Sequence, residues 1–181
     1  VINVTDMSFM FSEAENFNQD ISSWDVSNVT KMKGMFYRAT AFDDTYDISN
    51  WDVSNVTDMY KMFEHATSFN QNISSWDVSK VINMSMMFQK ATIFNQDISD
   101  WDVSNVTNMS YMFSQAENFD QYLNTWNTGN VTSTEGMFLS ATIFNQDISG
   151  WDVSNVTNMS SMFSAASSFD QDISGWNVSN V

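Results

Sequence analysis

The chain of 181 residues contains no cysteine and no proline, only five glycines and a single histidine. Without cysteine, disulfide bonds and cysteine-ligated metal sites are excluded, and the redox compartment is left open. No apolar stretch approaches the roughly 20 residues that a membrane-spanning helix needs. Direct insertion into a membrane is therefore not expected.

Positive charge is scarce as well. Six lysines and arginines stand against 22 aspartates and glutamates, which gives a formal net charge of −16. Nucleic acids and anionic membrane surfaces would repel such a chain, so nucleic-acid binding is not expected. Because 43% of the residues are hydrophobic and 15% are aromatic, the composition does not fit a disordered acidic tail. It predicts an acidic folded protein with a real core.

What the chain does have is a repeated unit of 25 residues, which reads W-D-V-S-N-V-T-N-M-S-x-M-F-x-x-A-x-x-F-N-Q-D-I-S-x. Tryptophan marks the first place of each copy, and we expect these rings to form a core ladder of Trp24, Trp51, Trp76, Trp101, Trp126, Trp151 and Trp176. The first spacing is 27 and the other five are 25. The two extra residues lie between Phe42 and Trp51 and should form a small outward loop.

Methionine and phenylalanine return at fixed places of the unit. Thirteen of the 14 methionines occupy the ninth and twelfth places, and 14 of the 15 phenylalanines occupy the thirteenth and nineteenth. Such rows could suggest a cofactor pocket. Identical apolar places in every copy are better explained by a core that stacked repeats share, because one unit cannot bury its own apolar face.

Local patterns give a fold class. Val106, Met109, Met112, Phe113 and Ala116 would share one face of a short helix, and Ser104 and Asn105 before it have N-cap chemistry. The triplet 101–103 alternates apolar and polar residues as a strand does. We therefore predict a right-handed repeat solenoid, with a parallel sheet of very short strands and short helices or 3₁₀ turns opposite.

Residues 1–181 are interpreted as a single solenoid domain of about seven repeats. The chain opens on "VINVTDMSFMF" and closes on "WNVSNV", both inside a repeat, which indicates a fragment of a longer chain. Missing targeting signals then give no information on location. Coils at the ends would expose apolar edges, so end-to-end association is expected.

A column of aspartates is the strongest candidate for a ligand-facing site, and it consists of Asp25, Asp52, Asp77, Asp102 and Asp152. Like charges on adjacent coils repel one another, and a bound cation such as calcium could offset that repulsion. The alternative is an Asx turn, in which each carboxylate accepts the backbone N–H two residues further on. The sequence favours the Asx turn, so no metal or other cofactor is predicted.

Other polar residues support catalysis poorly. His65 is the only histidine and stands at a variable place that we expect to be exposed, while no serine lies in a nucleophile motif. An asparagine row in N-V-T is a glycosylation sequon, although its periodic recurrence favours a hydrogen-bonded ladder. We predict that the protein is not an enzyme.

The motifs "NVTNMSYMF", "FNQDIS" and "WDVSNVT" resemble the repeat of the BspA-like leucine-rich-repeat surface proteins, which occur in bacteria, including as mycoplasmal lipoproteins, and in some protists. The resemblance covers the whole chain. It implies a leucine-rich-repeat-like coil, a cell-surface or extracellular location, and adhesion or interaction with a protein or glycan ligand. It implies no catalytic residues.

Three functions remain open at this stage. The first is a surface module for adhesion or for binding a protein or glycan, and the second is a structural spacer that holds another domain away from the cell. A calcium-dependent or glycan-active repeat protein is a more distant third. A binding module should gather unlike residues on one face, although relaxed drift of an exposed surface would produce diversity too. The eleventh place of the unit is diverse: Phe9, Gly34, Lys61, Met86, Tyr111, Gly136 and Ser161.

Overall fold

The computed structural model describes all 181 residues, and it confirms a repeat protein. The chain forms seven stacked coils that follow the sequence period, and we number them by their residues: 1–23, 24–50, 51–75, 76–100, 101–125, 126–150 and 151–175. Residues 176–181 continue onto coil 7. There is no α-helix, no 3₁₀-helix and no strand longer than one residue.

Parallel bridges join the eighth places of successive coils: Asp6 with Lys31, Lys31 with Asp58, Asp58 with Asn83, Asn83 with Asn108, Asn108 with Ser133, and Ser133 with Asn158. Backbone hydrogen bonds extend this ladder. The N–H of Met109 donates to the carbonyl of Ser133 at 3.0 Å, and that of Tyr111 donates to Glu135 at 2.7 Å. Every second N–H between the ninth and fifteenth places of a central coil thus bonds to the next coil.

The N–H groups in between close tight turns within their own coil. Met112 N–H donates to the carbonyl of Met109 at 3.1 Å, and Ser114 N–H to that of Tyr111 at 3.2 Å. These are bonds from residue i to residue i−3, and none of the 77 backbone hydrogen bonds joins i with i−4. The eleventh and fifteenth places of all seven coils have φ between 55° and 60°. A left-handed residue at every fourth position is incompatible with an α-helix.

The predicted helix over Val106–Ala116 and the predicted strand at Trp101–Val103 are therefore both wrong. The ladder runs through the segment expected to be helical, and residues 101–103 take no part in it, because their backbone hydrogen bonds only close the turns from Trp101 N–H to Ile98 and from Val106 N–H to Val103. Apolar residues spaced by three, one and three face one side in successive i−3 turns as they do on a helix, so the pattern alone could not distinguish the two. The alternation itself is confirmed, because Asp102 is exposed between the buried Trp101 and Val103.

A single apolar cluster of 48 buried residues runs through the stack from Met7 to Met162. At its centre the two phenylalanines of each coil stack face to face, with ring centroids 3.8 to 4.1 Å apart in all seven coils. Rings of the thirteenth place lie 5.6 to 5.8 Å from their counterparts in the next coil. Each coil thus completes the core of its neighbour.

The first-place tryptophans border this core and also bond to it. Trp24 and Trp176 are half-buried. The five tryptophans between them are only 3 to 4% exposed: Trp51, Trp76, Trp101, Trp126 and Trp151. The indole N–H of Trp101 donates to the carbonyl of Ile73, near the end of coil 3, at 3.1 Å. The same bond recurs at Trp51, Trp76, Trp126, Trp151 and Trp176, and no sequence pattern indicated it.

Two coils depart from the regular unit, and the loop predicted for the first of them is confirmed. The insertion in coil 2 forms surface bends at residues 44–46. In coil 6, Thr134 replaces a core methionine, and its hydroxyl is buried without a hydrogen-bond partner. A buried unpaired hydroxyl is unfavourable, and Ser114 in coil 5 carries another. No helix capable of crossing the membrane is present.

Candidate functional site

The aspartate column lies at a corner where each carboxylate bonds to its own backbone. In Asp25, Asp52, Asp77, Asp102 and Asp152, Oδ1 accepts the N–H of the serine two residues on, at 3.0 to 3.1 Å. Asn127 and Asn177 occupy the same place in their coils and accept the same bond at 3.3 Å. The Asx turn that the sequence favoured is present in all seven copies.

Two further corners of the coil use the same device. The second aspartate row accepts the equivalent bond at 2.7 to 3.0 Å in Asp20, Asp47, Asn72, Asp97, Asp147 and Asp172. The eighth place, which the sequence did not single out, accepts it at 2.9 to 3.0 Å in Asp6, Asp58, Asn83, Asn108 and Asn158. The corner carboxylates and amides therefore shape the turns of the chain.

Hydrogen bonds at the corners also change proton affinity. The side chain and then the backbone N–H of Ser27 hold the pKa of Asp25 below its usual value, and Ser154 does the same to Asp152. At Asp97 and Asp147 the backbone N–H is the larger cause and the serine side chain the smaller. These bonds favour the ionised carboxylate.

Nothing in this arrangement assembles a metal site. No group of three or more histidines, cysteines, aspartates or glutamates is close enough together to hold a metal ion. The column carboxylates are exposed and engaged with their own turns. Calcium binding by the column stays an untested alternative.

Asparagines at the fifth place form a ladder between coils. The side-chain amide of Asn105 donates to the carbonyl of Ser79 in the preceding coil at 2.7 Å. The same contact is made by Asn28, Asn55, Asn130, Asn155 and Asn180. This confirms the hydrogen-bonded ladder as the reason for the row, and Lys80, which replaces asparagine in coil 4, reaches back to Asn55 Oδ1 at 2.7 Å.

Much of the sequence variation lies in the ladder segment, which runs from the ninth to the fifteenth place of each coil, and most of its variable side chains are partly exposed, although Ser85 and Ser114 are buried. We define the variable face as the side chains at the tenth, eleventh, fourteenth and fifteenth places of the seven coils. In coil 2 these places hold Lys33, Gly34, Tyr37 and Arg38, and in coil 7 they hold Ser160, Ser161, Ser164 and Ala165. Side chains at these places contact one another across coils. For example, Lys61 Nζ lies 5.4 Å from the ring centroid of Tyr37.

Cations and aromatic rings meet on the variable face of coils 1 to 3. We define the cationic cluster as Lys33, Arg38 and Lys61 together with the rings of Phe9, Tyr37 and Tyr60. Lys33 Nζ lies 5.7 Å from the Phe9 centroid and 4.9 Å from that of Tyr60. These distances are typical of cation–π contacts.

Two aromatic rings on the variable face lie directly over glycines of the next coil. A Cβ at Gly34 would stand 2.3 Å from the Phe9 ring, and a Cβ at Gly136 would stand 2.3 Å from the Tyr111 ring. Both glycines also have positive φ. Glycine at these two places thus lets the ring of the preceding coil lie flat against the surface.

Two clefts are present, one outside the variable face and one that borders it through Ser161 and Ser164 of coil 7. The insertion of coil 2 borders a polar cleft of about 400 Å³ lined by Asp44, Asp47, Ser49, Asn70, Gln71, Asn72 and Gln96. Gln71 is 2% exposed and bonded on both sides, since its Oε1 accepts from Ile48 N–H at 3.0 Å and its amide donates to Asp43 O. An apolar cleft of about 520 Å³ lies at coil 7, with Met159, Met162, Phe163 and Trp176 in its lining. End-to-end association there stays a prediction.

His65, expected to be exposed, is half-buried and adopts a left-handed φ of 60° at the fifteenth place. The equivalent residues in the other coils have the same backbone conformation, so the value reflects the coil and not a special site. No hydrogen bond connects the imidazole to a serine or carboxylate. Absence of catalysis remains a prediction from the sequence.

Comparison with known proteins returned one family. The family model described as "Mycoplasma protein of unknown function, DUF285" matches residues 1–47, 43–132 and 94–181, so the three matches together span the chain. No curated protein matches it.

Proposed function

Because the chain belongs to the mycoplasmal repeat family whose model spans it, we propose that it is a non-catalytic repeat module that binds a partner through the variable face. The observation that carries this proposal is the separation of constant and variable places. Core and corner residues largely recur from coil to coil, whereas the four places of the variable face hold unlike residues in different coils.

Stacked repeats are suited to such a role, because each coil adds a strip to an extended surface while its core and junctions stay the same. The corner side chains accept hydrogen bonds from their own backbone, and the ladder bonds join backbone groups. The outer side chains of the ladder segment can therefore vary without loss of these bonds. Tyr37, Tyr60 and Arg38 on coils 2 and 3 belong to the residue types that are enriched at energetically important interface positions. Both features support binding over a purely structural use.

The finer assignment, a right-handed leucine-rich-repeat-like coil of the BspA-like surface proteins, belongs to the same proposal. The motifs "WDVSNVT" and "FNQDIS" support it, and so does the parallel arrangement of coils. With that assignment come a cell-surface or secreted location and a protein or glycan ligand. Protease treatment of intact cells that carry the full-length protein would test the location, since an internal protein would survive it.

A face-replacement variant tests the function. In it, coils 2 and 3 receive the residues of coil 7 through Lys33→Ser, Tyr37→Ser, Arg38→Ala, Tyr60→Ser, Lys61→Ser, Glu64→Ser and His65→Ala. The control, Lys31→Asn with Lys80→Asn, changes the net charge equally and restores residues that other coils carry outside the variable face. Each labelled protein is applied to arrays of extracellular proteins and glycans.

We expect the wild-type chain and the control to bind the same array components, and the face-replacement variant to lose them. Binding that survives in all three proteins would place the ligand site elsewhere. No binding by any of them would favour the spacer.

A further inference from the structure

Positive charge is confined to one part of the molecule. All six lysines and arginines lie between residues 31 and 90, and three of them belong to the cationic cluster. The remaining surface is acidic, with a net charge of −16 for the whole chain. The cluster is thus a small cationic area on a protein that repels anions at long range.

Both tyrosine rings of the cluster hold two cations each. Lys33 Nζ and Lys61 Nζ lie 4.9 and 5.3 Å from the Tyr60 centroid, and Lys61 Nζ and Arg38 Cζ lie 5.4 and 5.3 Å from the Tyr37 centroid. Cation–π attraction restrains these long side chains before any ligand arrives. It also occupies the ring faces, which a sugar would need for stacking.

Two acidic residues, Glu13 and Glu64, share the variable face of coils 1 to 3 with the three cations. Lys61 Nζ lies 3.0 Å from Glu64 Oε2, which is the only ion pair within the cluster. The other ion pair of the protein joins Lys31 to Asp6 at 4.0 Å and lies outside it. Lys33 and Arg38 have no carboxylate partner although the chain carries 22 acidic residues. Like charges held against one ring repel, and an incoming carboxylate would relieve that repulsion.

Resting on the proposed function, we propose that the cationic cluster binds an acidic peptide segment of a partner protein. Carboxylates of the segment pair with Lys33 and Arg38, while apolar atoms of the segment pack against Phe9, which is 45% exposed. An extended polyanion such as a nucleic acid or an anionic bilayer would meet the repulsion of the surrounding acidic surface. A short acidic segment confines its charge to the area where the cations are.

Fluorescence titration tests the proposal, with a short labelled peptide in which glutamate alternates with serine as the probe. The same peptide with glutamine in place of glutamate serves as the uncharged probe. Lys33→Ser with Arg38→Gln introduces residues that other coils carry at these places. Lys31→Asn with Lys80→Asn is the charge-matched control, and circular dichroism with urea unfolding confirms that both variants fold.

The wild-type chain should bind the glutamate peptide in preference to the glutamine peptide, and more weakly as salt rises. Loss of the two unpaired cations should weaken binding about tenfold, since each exposed ion pair contributes a few-fold. The control should stay within about twofold of wild type. Equal weakening in both variants would instead show a diffuse charge effect and overturn the proposal.

Other probes decide the ligand class. Tighter binding to a sulfated oligosaccharide or to anionic lipid vesicles than to the glutamate peptide would overturn the assignment, as would failure of the wild-type chain to bind the peptide. The arrays separate the two proposals. If the face-replacement variant loses array binding and Lys33→Ser with Arg38→Gln keeps it, the variable face still binds a partner but the acidic-segment proposal is wrong.

Discussion

Coils 1 to 3 and coils 5 to 7 are nearly the same inside and different outside. Phe36 in coil 2 and Phe138 in coil 6 are both fully buried, and each stacks on the second phenylalanine of its coil, with centroids 4.1 and 4.0 Å apart. On the variable face, coil 2 carries Lys33 where coil 7 carries Ser160. Packing therefore fixes the inner places, and the outer places are free to differ because the ladder bonds there are made by the backbone.

The largest expected effect tests whether the two regions share one core. Trp101→Ala should lower the free energy of unfolding by about 3 to 5 kcal/mol, because it leaves a cavity beside Phe88 and removes the bond to Ile73. Trp176→Ala should cost much less, since Trp176 is already half-buried in this chain. Urea denaturation measures both, and equal losses would argue against a continuous core.

A smaller loss of stability is expected when a glycine of the variable face is replaced, and almost none when a glycine outside that face is replaced. Gly34→Ala should destabilise by about 1 to 2 kcal/mol, because alanine is strained at a φ of +56° and its Cβ must displace the Phe9 ring. Gly175→Ala in coil 7 meets no atom within 4 Å and should change stability by no more than about 0.5 kcal/mol. Thermal unfolding of the two variants provides the measurement. A Gly34→Ala protein as stable as wild type would mean that the ring lies elsewhere in solution.

Acid should weaken the corners in both regions. Hydrogen bonds from serines lower the pKa of Asp20 in coil 1 and of Asp147 and Asp172 in coils 6 and 7. The stability that these bonds contribute is fully present when the pH is above 3.8, the pKa of aspartate in the unfolded chain. It is lost as the pH falls through the lower pKa of the folded state.

Asp147→Asn with Asp172→Asn keeps an acceptor oxygen but cannot titrate, so this variant should lose less stability than wild type between neutral and acidic pH. Glu117→Gln is the control, because no hydrogen bond of the protein involves the Glu117 side chain. Urea midpoints at several pH values report the difference. An acid response identical in all three proteins would show that the corner bonds do not depend on ionisation.

The smallest expected effect concerns the aspartate column. Asp102→Asn should be nearly neutral, because Asn127 and Asn177 already make the same turn. Calcium, magnesium and sodium at matched ionic strength should then shift the melting temperature alike, through screening alone. Specific stabilisation by calcium would follow RT ln(1 + [L]/Kd) and reach about 2.7 kcal/mol at a hundredfold excess. A large calcium shift abolished by Asp77→Asn with Asp102→Asn would establish a metal site.

Much of the coil could be predicted from the sequence, because period and polarity report burial directly. The buried Met109 and Phe113, the surface loop after Phe42 and the Asx turn at Asp102 all follow from residue type and place. Conformation was harder to predict. Tyr111 and Gln115 are left-handed without being glycine or asparagine, so nothing in their chemistry indicates that the chain turns there and does not form a helix.

Part of the candidate site was also beyond sequence reasoning. Diversity at the eleventh place is visible in the sequence, but the tenth, fourteenth and fifteenth places join it only once the turns of the ladder segment are known. Lys33 and Lys61 come from different places in different coils, and they meet at the ring of Tyr60. Such a meeting depends on the stacking of coils, which composition does not specify.

The uniform junction between coils has a consequence for how the protein can change in length. Because the ladder bonds, the indole bond and the phenylalanine stack recur at nearly every junction, a whole unit could be duplicated or deleted in the gene without creating a new kind of junction. Each duplication between coils 4 and 7 would add roughly 4.8 Å to the stack. Recombination within the gene could thus alter the reach of the molecule in equal steps and leave the chemistry of coils 1 to 3 untouched.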